Sequence, residues 1–351
     1  MMLQGHFIDT LLAIEYRDPD NIAYSTWLYF RGITAPVFFT ISGLIFTYLL
    51  IKAKEKETLS IRIRKGLVRG LMLIGIGYAL RIPIFRWLTG KFGTYFMVID
   101  VLQCIGLSLI LIVCIYLLAR KKTLIFSVVM LCLGTLIFLF EPLFRTYSAE
   151  RIPLFFANYL TKVNGSVFTI LPWFGYMAYG AFIATLFYGY LTRPKFKTGL
   201  ITGFFVTGLI LVYGSTPVFL ELAKLINWTL LTEVANFNYL FIRLGNVLVI
   251  FGLFYAFEAY LKQPVVLKIG QKTLSIYVIH FVLLYGSFTG LGLNQILGKI
   301  LTPFEVIFGA ICFLVTVSLI SIYIIKANTH IYKYIIDKLH YLKSLTKSLN
   351  N

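Results

Sequence analysis

The sequence is short of charged residues, and acidic residues are the scarcer of the two kinds. Charged side chains make up 13% of the 351 residues and hydrophobic ones 59%, whereas soluble globular domains carry roughly 25% charged residues. A water-soluble enzyme and a disordered chain are therefore excluded, and the composition indicates a polytopic membrane protein. The few cysteines all lie inside apolar runs, which favours packing roles over disulfide or metal partners. They are Cys104, Cys114, Cys132 and Cys312.

Several motifs that identify enzyme classes are also missing. The sequence has no P-loop, no Rossmann glycine pattern, no HExxH pair and no GxSxG nucleophile turn. It has no arginine ladder of the voltage-sensor kind and no internal repeat strong enough to indicate the halves of a secondary transporter. The motifs give no reason to expect a bound metal.

Apolar segments of about 20 residues, the length that crosses a bilayer, recur along the whole chain. They predict an all-α, polytopic transmembrane bundle of about 10 spans, in a single domain over residues 1–327. The apolar start, residues 1–14, is too short to span, so we expect the first span to be incomplete and the natural chain to begin roughly 10–15 residues earlier. The other segments are 33–51, 68–88, 98–118, 123–140, 168–190, 199–219, 239–260, 273–292 and 304–325.

Positive charge is concentrated in every second connection between these segments. The net charge is +18, from 32 basic and 14 acidic residues, and most of the basic ones lie in that alternate set and at the C-terminal end. Basic loops stay in the cytoplasm, so we expect a multi-pass protein of the cytoplasmic (inner) membrane with a cytoplasmic C-terminus. Topology explains the charge better than nucleic-acid binding. Residues 328–351 are predicted to form a basic amphipathic tail on the inner leaflet.

Polar residues inside apolar segments are costly and need a reason. His6 and Asp9 are three positions apart, so a helix places them on one face. A carboxylate beside an imidazole fixes its tautomer and raises its basicity, as a general base requires. The alternative is a structural His–Asp pair that only holds helices together.

Further polar and aromatic residues cluster toward the predicted outer ends of the spans. Arg31 stands at the mouth of a helix, where it either stabilises developing negative charge or extends to lipid phosphates. Arg81 and Asp100 form either part of a substrate site or a structural ion pair, and Trp173 is either a contact for substrate or an interfacial anchor. The predicted substrate-binding residues are Trp27, Arg81, Asp100, Gln103, Trp173 and Tyr277.

A second histidine lies in a late apolar segment. His280 follows Thr273 by about 10 Å along a helix axis, which places it near the middle of the membrane. A single buried histidine often serves only as a hydrogen-bonding core residue. Since the chain has 4 histidines and two of them lie in apolar segments, we include His280 with His6 among the catalytic candidates, and Tyr277 beside it.

Five segments, in this order and spacing, resemble bacterial members of the heparan-α-glucosaminide N-acetyltransferase-like family, which is related to the broader acyltransferase-3 group. These segments are 2–9, 31–43, 99–106, 171–175 and 274–280. In acyltransferase-3 relatives a histidine late in the first helix is catalytic, and His6 matches it. The arginine that precedes that histidine in the relatives would fall before Met1. The animal enzymes carry a histidine in the first outer loop, where residues 15–30 have none.

The resemblance implies an acyltransferase that moves an acyl group, commonly acetyl, from cytoplasmic acyl-CoA to a sugar or glycan across the membrane. Such a reaction needs a base and a donor for the oxyanion but no metal. For this chemistry we predict His6 as the base, Asp9 as the carboxylate that orients it, and Arg31 or Arg81 as the group that stabilises the oxyanion. The basic loop 62–69 would bind the phosphates of coenzyme A, or serve topology alone. Its four cations are Arg62, Arg64, Lys65 and Arg69.

Partners follow from the same interpretation. We expect the lipid bilayer and a sugar or glycan acceptor, and a homodimer is left open. The competing hypothesis is a proton-coupled transporter or flippase of a glycan or lipid-linked intermediate, in which His6, Asp9 and His280 would relay protons.

Overall fold

The structure, a computed structural model, describes residues 1–55 and 57–323. These residues form helices joined by loops, with one isolated backbone bridge between Leu12 and Leu301. The early helices are α1 (Met2–Leu11), α2 (Ile22–Glu55), α3 (Leu59–Arg81), α4 (Ile84–Leu88), α5 (Val101–Leu118), α6 (Thr123–Leu139), α7 (Glu141–Arg145) and α8 (Leu154–Leu160). The later helices are α9 (Ile170–Tyr190), α10 (Phe196–Leu209), α11 (Ser215–Ile226), α12 (Thr229–Asn236), α13 (Tyr239–Ala256), α14 (Glu258–Leu261), α15 (Pro264–Gly270), α16 (Thr273–Tyr285), α17 (Leu293–Ile296) and α18 (Pro303–Tyr323).

The length and apolar character of the helices confirm the predicted all-α polytopic fold. Six helices of the described residues are long and apolar enough to cross a membrane, counting α10 and α11 as one through the π-helical turn Ile210–Gly214. The pair α15 and α16, bent by 65°, raises the number to 7 if it forms one broken span. The shorter α6 is apolar as well, whereas α3 has 23 residues but carries five basic ones.

Some predicted boundaries are wrong, for local reasons. Residues 62–69 are not a loop, because α3 already begins at Leu59. The segment predicted over 68–88 ends at Arg81, since Pro83 disfavours helical backbone at the residue before it. The segment predicted over 273–292 ends at Tyr285, because Gly286 has a positive φ of 66° and caps α16 in the left-handed conformation.

The described residues divide into two compact units, Met1–Pro19 with the described residues from Tyr260 onward, and Asp20–Ala259. In the larger unit, α2 and α9 approach through small residues. A Cβ atom on Gly43 would overlap the carbonyl of Met177, and one on Gly180 would overlap the carbonyl of Thr40. Close backbone contact at glycine is a common way for membrane helices to associate, since dispersion rather than water exclusion holds them.

The smaller unit is held by aromatic packing and backbone hydrogen bonds. Phe7 on α1 packs on Phe313 of α18 with ring centroids 5.1 Å apart. The end of α1 is fixed to the loop before α18, because Ala13 donates to the carbonyl of Leu301 at 3.0 Å. The predicted tail, residues 328–351, lies outside the described residues, and the single domain over 1–327 stays a prediction.

Candidate active site

The smaller unit brings together the two histidines predicted to be catalytic. His6 on α1 and His280 on α16 stack with ring centroids 5.2 Å apart and an interplanar angle of 27°. His280 is fully buried. The ring of Tyr277, one turn earlier on α16, meets His280 edge-on at 5.0 Å. Three predicted site residues from opposite ends of the sequence therefore form one cluster.

The hydrogen bonds of His280 define its tautomer. Its Nδ1 lies 3.2 Å from the carbonyl oxygen of Ile276, and a carbonyl can only accept, so the ring proton is on Nδ1. In the neutral ring Nε2 then carries a lone pair. This atom is buried and, within the described residues, has no hydrogen-bond partner. A buried acceptor without a donor is unfavourable unless a ligand supplies one.

A tyrosine orients the ring of His6. The hydroxyl of Tyr285 lies 3.1 Å from His6 Nδ1, and Thr10 donates to the Tyr285 oxygen at 3.4 Å. The tautomer of His6 sets the direction of its bond to Tyr285, since the tyrosine hydroxyl can donate to Nδ1 or accept from it. Tyr285 and Thr10 are not among the site residues predicted from the sequence. Thr10 follows His6 by four positions and thus shares its helix face, which was the available signal, whereas no motif distinguishes Tyr285 from other aromatic residues.

An arginine that was not predicted from the sequence stabilises the end of α1, where Asp9 lies. Arg17 donates from Nη2 to the carbonyl oxygens of Asp9 and Leu12, both at 2.7 Å. These bonds occupy carbonyl groups that a helix end leaves without partners. The role of the Asp9 carboxylate as partner of His6 stays a prediction.

Three other predicted residues meet in the larger unit. Arg81 at the end of α3 pairs with Asp100, and their side chains are only 7% and 10% exposed. Gln103, in the first turn of α5, accepts a hydrogen bond from the backbone of Asp100 at 3.2 Å. The structure thus contains the ion pair considered from the sequence. Binding of substrate by these residues stays a prediction.

The remaining aromatic and cationic candidates lie on α2 and α9. Trp173 packs between Phe168 and Phe39, at ring-centroid distances of 4.7 and 5.1 Å. Its buried Nε1 has no hydrogen-bond partner in the part of the chain that the structure describes. Trp27 packs on Tyr24, and Arg31 is an exposed residue of α2. Their functional roles stay predictions.

The four cations predicted to bind coenzyme A occupy the first turns of α3. Arg62, Lys65 and Arg69 follow at spacings of three and four and therefore share a helix face. Arg62 is half-buried over the ring of Phe46, at 6.0 Å from its centroid. Arg64, Lys65 and Arg69 are exposed. The helix presents a compact positive face suited to phosphate groups.

The described residues contain no group of three or more His, Cys, Asp or Glu side chains that could hold a metal ion. The site pairs one buried imidazole with one half-buried imidazole, and tyrosine and threonine hydroxyls lie beside them, in a chain with several apolar helices. It defines a polytopic membrane protein with a candidate acid–base site.

Comparison with known families agrees with this class. Residues 1–221 match the family described as heparan-alpha-glucosaminide N-acetyltransferase, catalytic, and the chain belongs to that family. The predicted family is thereby confirmed, and membership implies acetyltransferase activity in general. The match includes His6 and ends within α11, so His280 lies beyond it. No curated protein and no solved structure matches the chain.

Proposed function

We propose that this protein transfers an acetyl group from acetyl-CoA on the cytoplasmic side to a sugar hydroxyl or amine on the extracytoplasmic side. The observation that carries the proposal is the stack of half-buried His6 on fully buried His280, 5.2 Å between centroids, in a chain that belongs to an acetyltransferase family. The concentration of basic residues in alternate connections supports the sidedness.

The reaction needs a base with an available lone pair. The acceptor oxygen or nitrogen attacks the thioester carbonyl, its proton is removed, and the coenzyme A thiolate leaves with a proton from the site or from water. His280 offers a lone pair at Nε2, and the Tyr285 hydroxyl orients the ring of His6 through its contact at Nδ1.

The roles within the pair follow from these contacts. His6 removes the acceptor proton, with Tyr285 and Thr10 as positioning residues. His280 accepts at Nε2 a hydrogen bond from a second hydroxyl or N–H group of the acceptor, which would give that buried lone pair its donor. Asp9 orients His6. Arg81 is poorly suited to stabilise an oxyanion, because its guanidinium group is already paired with Asp100.

The positive face of α3 would bind the donor. Coenzyme A carries phosphate groups, and guanidinium groups bind phosphate through paired hydrogen bonds. Arg62, Lys65 and Arg69 project from one face of a rigid helix rather than from a loop, which holds their spacing constant. The basic character of this connection also predicts that it faces the cytoplasm, where acetyl-CoA is present.

The test measures release of free thiol from acetyl-CoA by purified protein, with a panel of glucosamine-containing acceptors. We expect release that depends on an acceptor, and a loss of about 10²–10⁴-fold in His6→Ala, the range for removal of a general base. His340→Ala is the matched control, since it removes a histidine of the predicted tail. Parental rates in His6→Ala would show that His6 is not the base. Absence of thiol release from the parental protein with every acceptor would favour transport.

A further inference from the structure

The larger unit has a pocket of about 340 Å³ at the turn between α9 and α10, and the proposed chemistry does not use it. Its lining comes from the end of α9, the turn itself and the start of α10. The volume falls at the lower end of the range for small-molecule sites. The lining residues that matter here are Leu186, Tyr190, Arg193, Lys195, Phe196 and Gly199.

Helix length places this pocket at a surface of the membrane. The helix α9 has 21 residues and therefore a length of about 30 Å, which is the thickness of the hydrocarbon core of a bilayer. It is apolar enough to cross a membrane, and so is the helix that α10 begins. The turn that joins two such spans lies where the hydrocarbon ends and the polar headgroups begin. Because it carries Arg193, Lys195 and Lys197, this turn is predicted to face the cytoplasm.

Two cations without an acidic partner line the pocket. The guanidinium group of Arg193 lies over the ring of Tyr190, 4.6 Å from its centroid, and Lys195 is the N-cap residue of α10. Within the described residues neither forms an ion pair, and no acidic side chain lines the pocket. Lys197 differs, because its Nζ lies 3.1 Å from a carboxylate oxygen of Glu258. The pocket therefore has two positive charges that an anion would balance.

The start of α10 adds to this positive potential. The helix has 14 residues, and no described side chain caps its first turn with a hydrogen bond. The amide groups of a first helical turn carry the positive end of the helix dipole, which favours an anion. The φ of Lys195 is 61°, so a lysine occupies a backbone position that favours glycine. A cationic side chain and the positive end of a helix thus lie at the same place.

The other side of the pocket is apolar and continues along α10 into the membrane. Leu186 and Phe196 are half-buried, and the ring of Phe196 packs on that of Phe187 with centroids 5.7 Å apart. Gly199 is exposed, and no described atom lies within 4 Å of its Cβ position. The same holds for Gly203, which is one turn further along α10 on the same helix face. These two glycines leave a shallow groove that leads from the pocket along the helix.

We infer that this pocket binds an anionic phospholipid of the membrane leaflet that it faces. The phosphate group of the lipid pairs with Arg193 and Lys195 through charge-assisted hydrogen bonds. One acyl chain lies in the groove beside Gly199 and Gly203, where no side chain fills the space. Basic pockets between membrane helices on the cytoplasmic side are suited to such headgroups. The inference does not depend on the proposed acetyl transfer.

The depth of the pocket and its apolar side favour a lipid over a soluble phosphate compound. A soluble anion would pair with the two cations but would leave Leu186, Phe196 and the groove uncovered. An acyl chain covers this apolar surface while the headgroup stays in the polar layer of the membrane. Coenzyme A, the proposed donor, carries phosphate groups as well, so the experiment has to separate it from a lipid.

The test counts the lipid molecules bound to the detergent-purified protein by native mass spectrometry, without any acyl donor. The protein is titrated with phosphatidylglycerol and, separately, with phosphatidylcholine that has the same acyl chains. Phosphatidylglycerol carries a net negative charge and phosphatidylcholine does not. We therefore expect the first phosphatidylglycerol to bind about tenfold or more tightly than the first phosphatidylcholine, given two cations near the headgroup. Equal affinity for the two lipids would overturn the inference.

Two soluble competitors separate a lipid from a free phosphate compound. Inorganic phosphate and coenzyme A are each added at the concentration at which phosphatidylglycerol half-saturates the protein. We expect neither to displace the bound lipid, because neither has an acyl chain that could lie along α10. Displacement by either competitor would overturn the lipid as the occupant.

Variants assign the lipid to this pocket. We expect Arg193→Gln and Lys195→Gln each to weaken binding of phosphatidylglycerol by about fivefold, and the double variant to lose most of the preference over phosphatidylcholine. Gly199→Leu fills the groove and should weaken binding of both lipids. Lys122→Gln is the matched control, because Lys122 is likewise an exposed N-cap residue, of α6, but does not line the pocket. A preference that survives in the folded double variant, or parental affinity in folded Gly199→Leu, would overturn the inference.

Discussion

Variants of the ion pair between Arg81 and Asp100 can distinguish a structural role of these two residues from a role in substrate binding. The two side chains are 7% and 10% exposed, and the guanidinium group also lies over the ring of Tyr95 at 4.7 Å. Asp100→Ala would leave a buried guanidinium group without its counter-charge. Arg81→Met would likewise leave the Asp100 carboxylate buried without its counter-charge.

The expected cost follows from that burial. Removal of one partner of a buried ion pair costs about 3–5 kcal/mol, mostly because the other charge stays buried and unpaired. Replacement of both partners by apolar groups is often close to neutral. We therefore expect each single variant to lose about 3–5 kcal/mol of unfolding free energy and the double variant Arg81→Met/Asp100→Ala to recover most of it.

The assay is denaturant unfolding of the four purified proteins in one detergent, followed by the thiol-release assay on those that fold. If the pair is structural, the double variant keeps most of the acetyl transfer. If Arg81 or Asp100 also binds substrate, the double variant folds but transfers slowly. Single variants as stable as the parent, or a double variant less stable than either, would refute the reasoning from burial.

Two further predictions concern helix contact and the active site. Gly43→Ala should lower the melting temperature, because its Cβ would overlap the carbonyl of Met177. Gly75→Ala should not, since nothing lies within 4 Å of its Cβ position. Equal melting temperatures would contradict this packing of α2 on α9. Tyr285→Phe should slow acetyl transfer by about fivefold to tenfold, the value of one hydrogen bond, with the thermal unfolding nearly unchanged. An unchanged rate would show that Tyr285 does not orient His6.

The sequence predicted the helices well and their ends less well. The length of an apolar segment decides whether it can span a bilayer, and that length is read directly from consecutive residues of the sequence. Helix ends depend on single residues, such as Gly286 with its positive φ, or Pro83 just after α3. The start of α3 was missed for another reason. Its first turns are basic, and a search for apolar segments does not detect a polar helix.

The part of the candidate site that could be predicted consists of ionisable residues, which are unusual inside apolar segments. His6, His280, Arg81 and Asp100 were selected because ionisable groups in apolar segments are costly, and the structure places them in two clusters, each within one compact unit. Tyr285 was not predicted, since one tyrosine among 23 carries no pattern. Its role depends on a contact between α1 and α16, which lie at opposite ends of the sequence.

The most direct test of the proposed function uses vesicles that contain the purified protein, with an amino-sugar acceptor enclosed and acetyl-CoA labelled in its acetyl group added outside. Molecules oriented with the cytoplasmic face outward are predicted to place the label on the enclosed acceptor, and vesicles with His6→Ala are predicted to place almost none. Label that never reaches the enclosed acceptor, although the protein is folded in both orientations, would contradict transfer across the membrane.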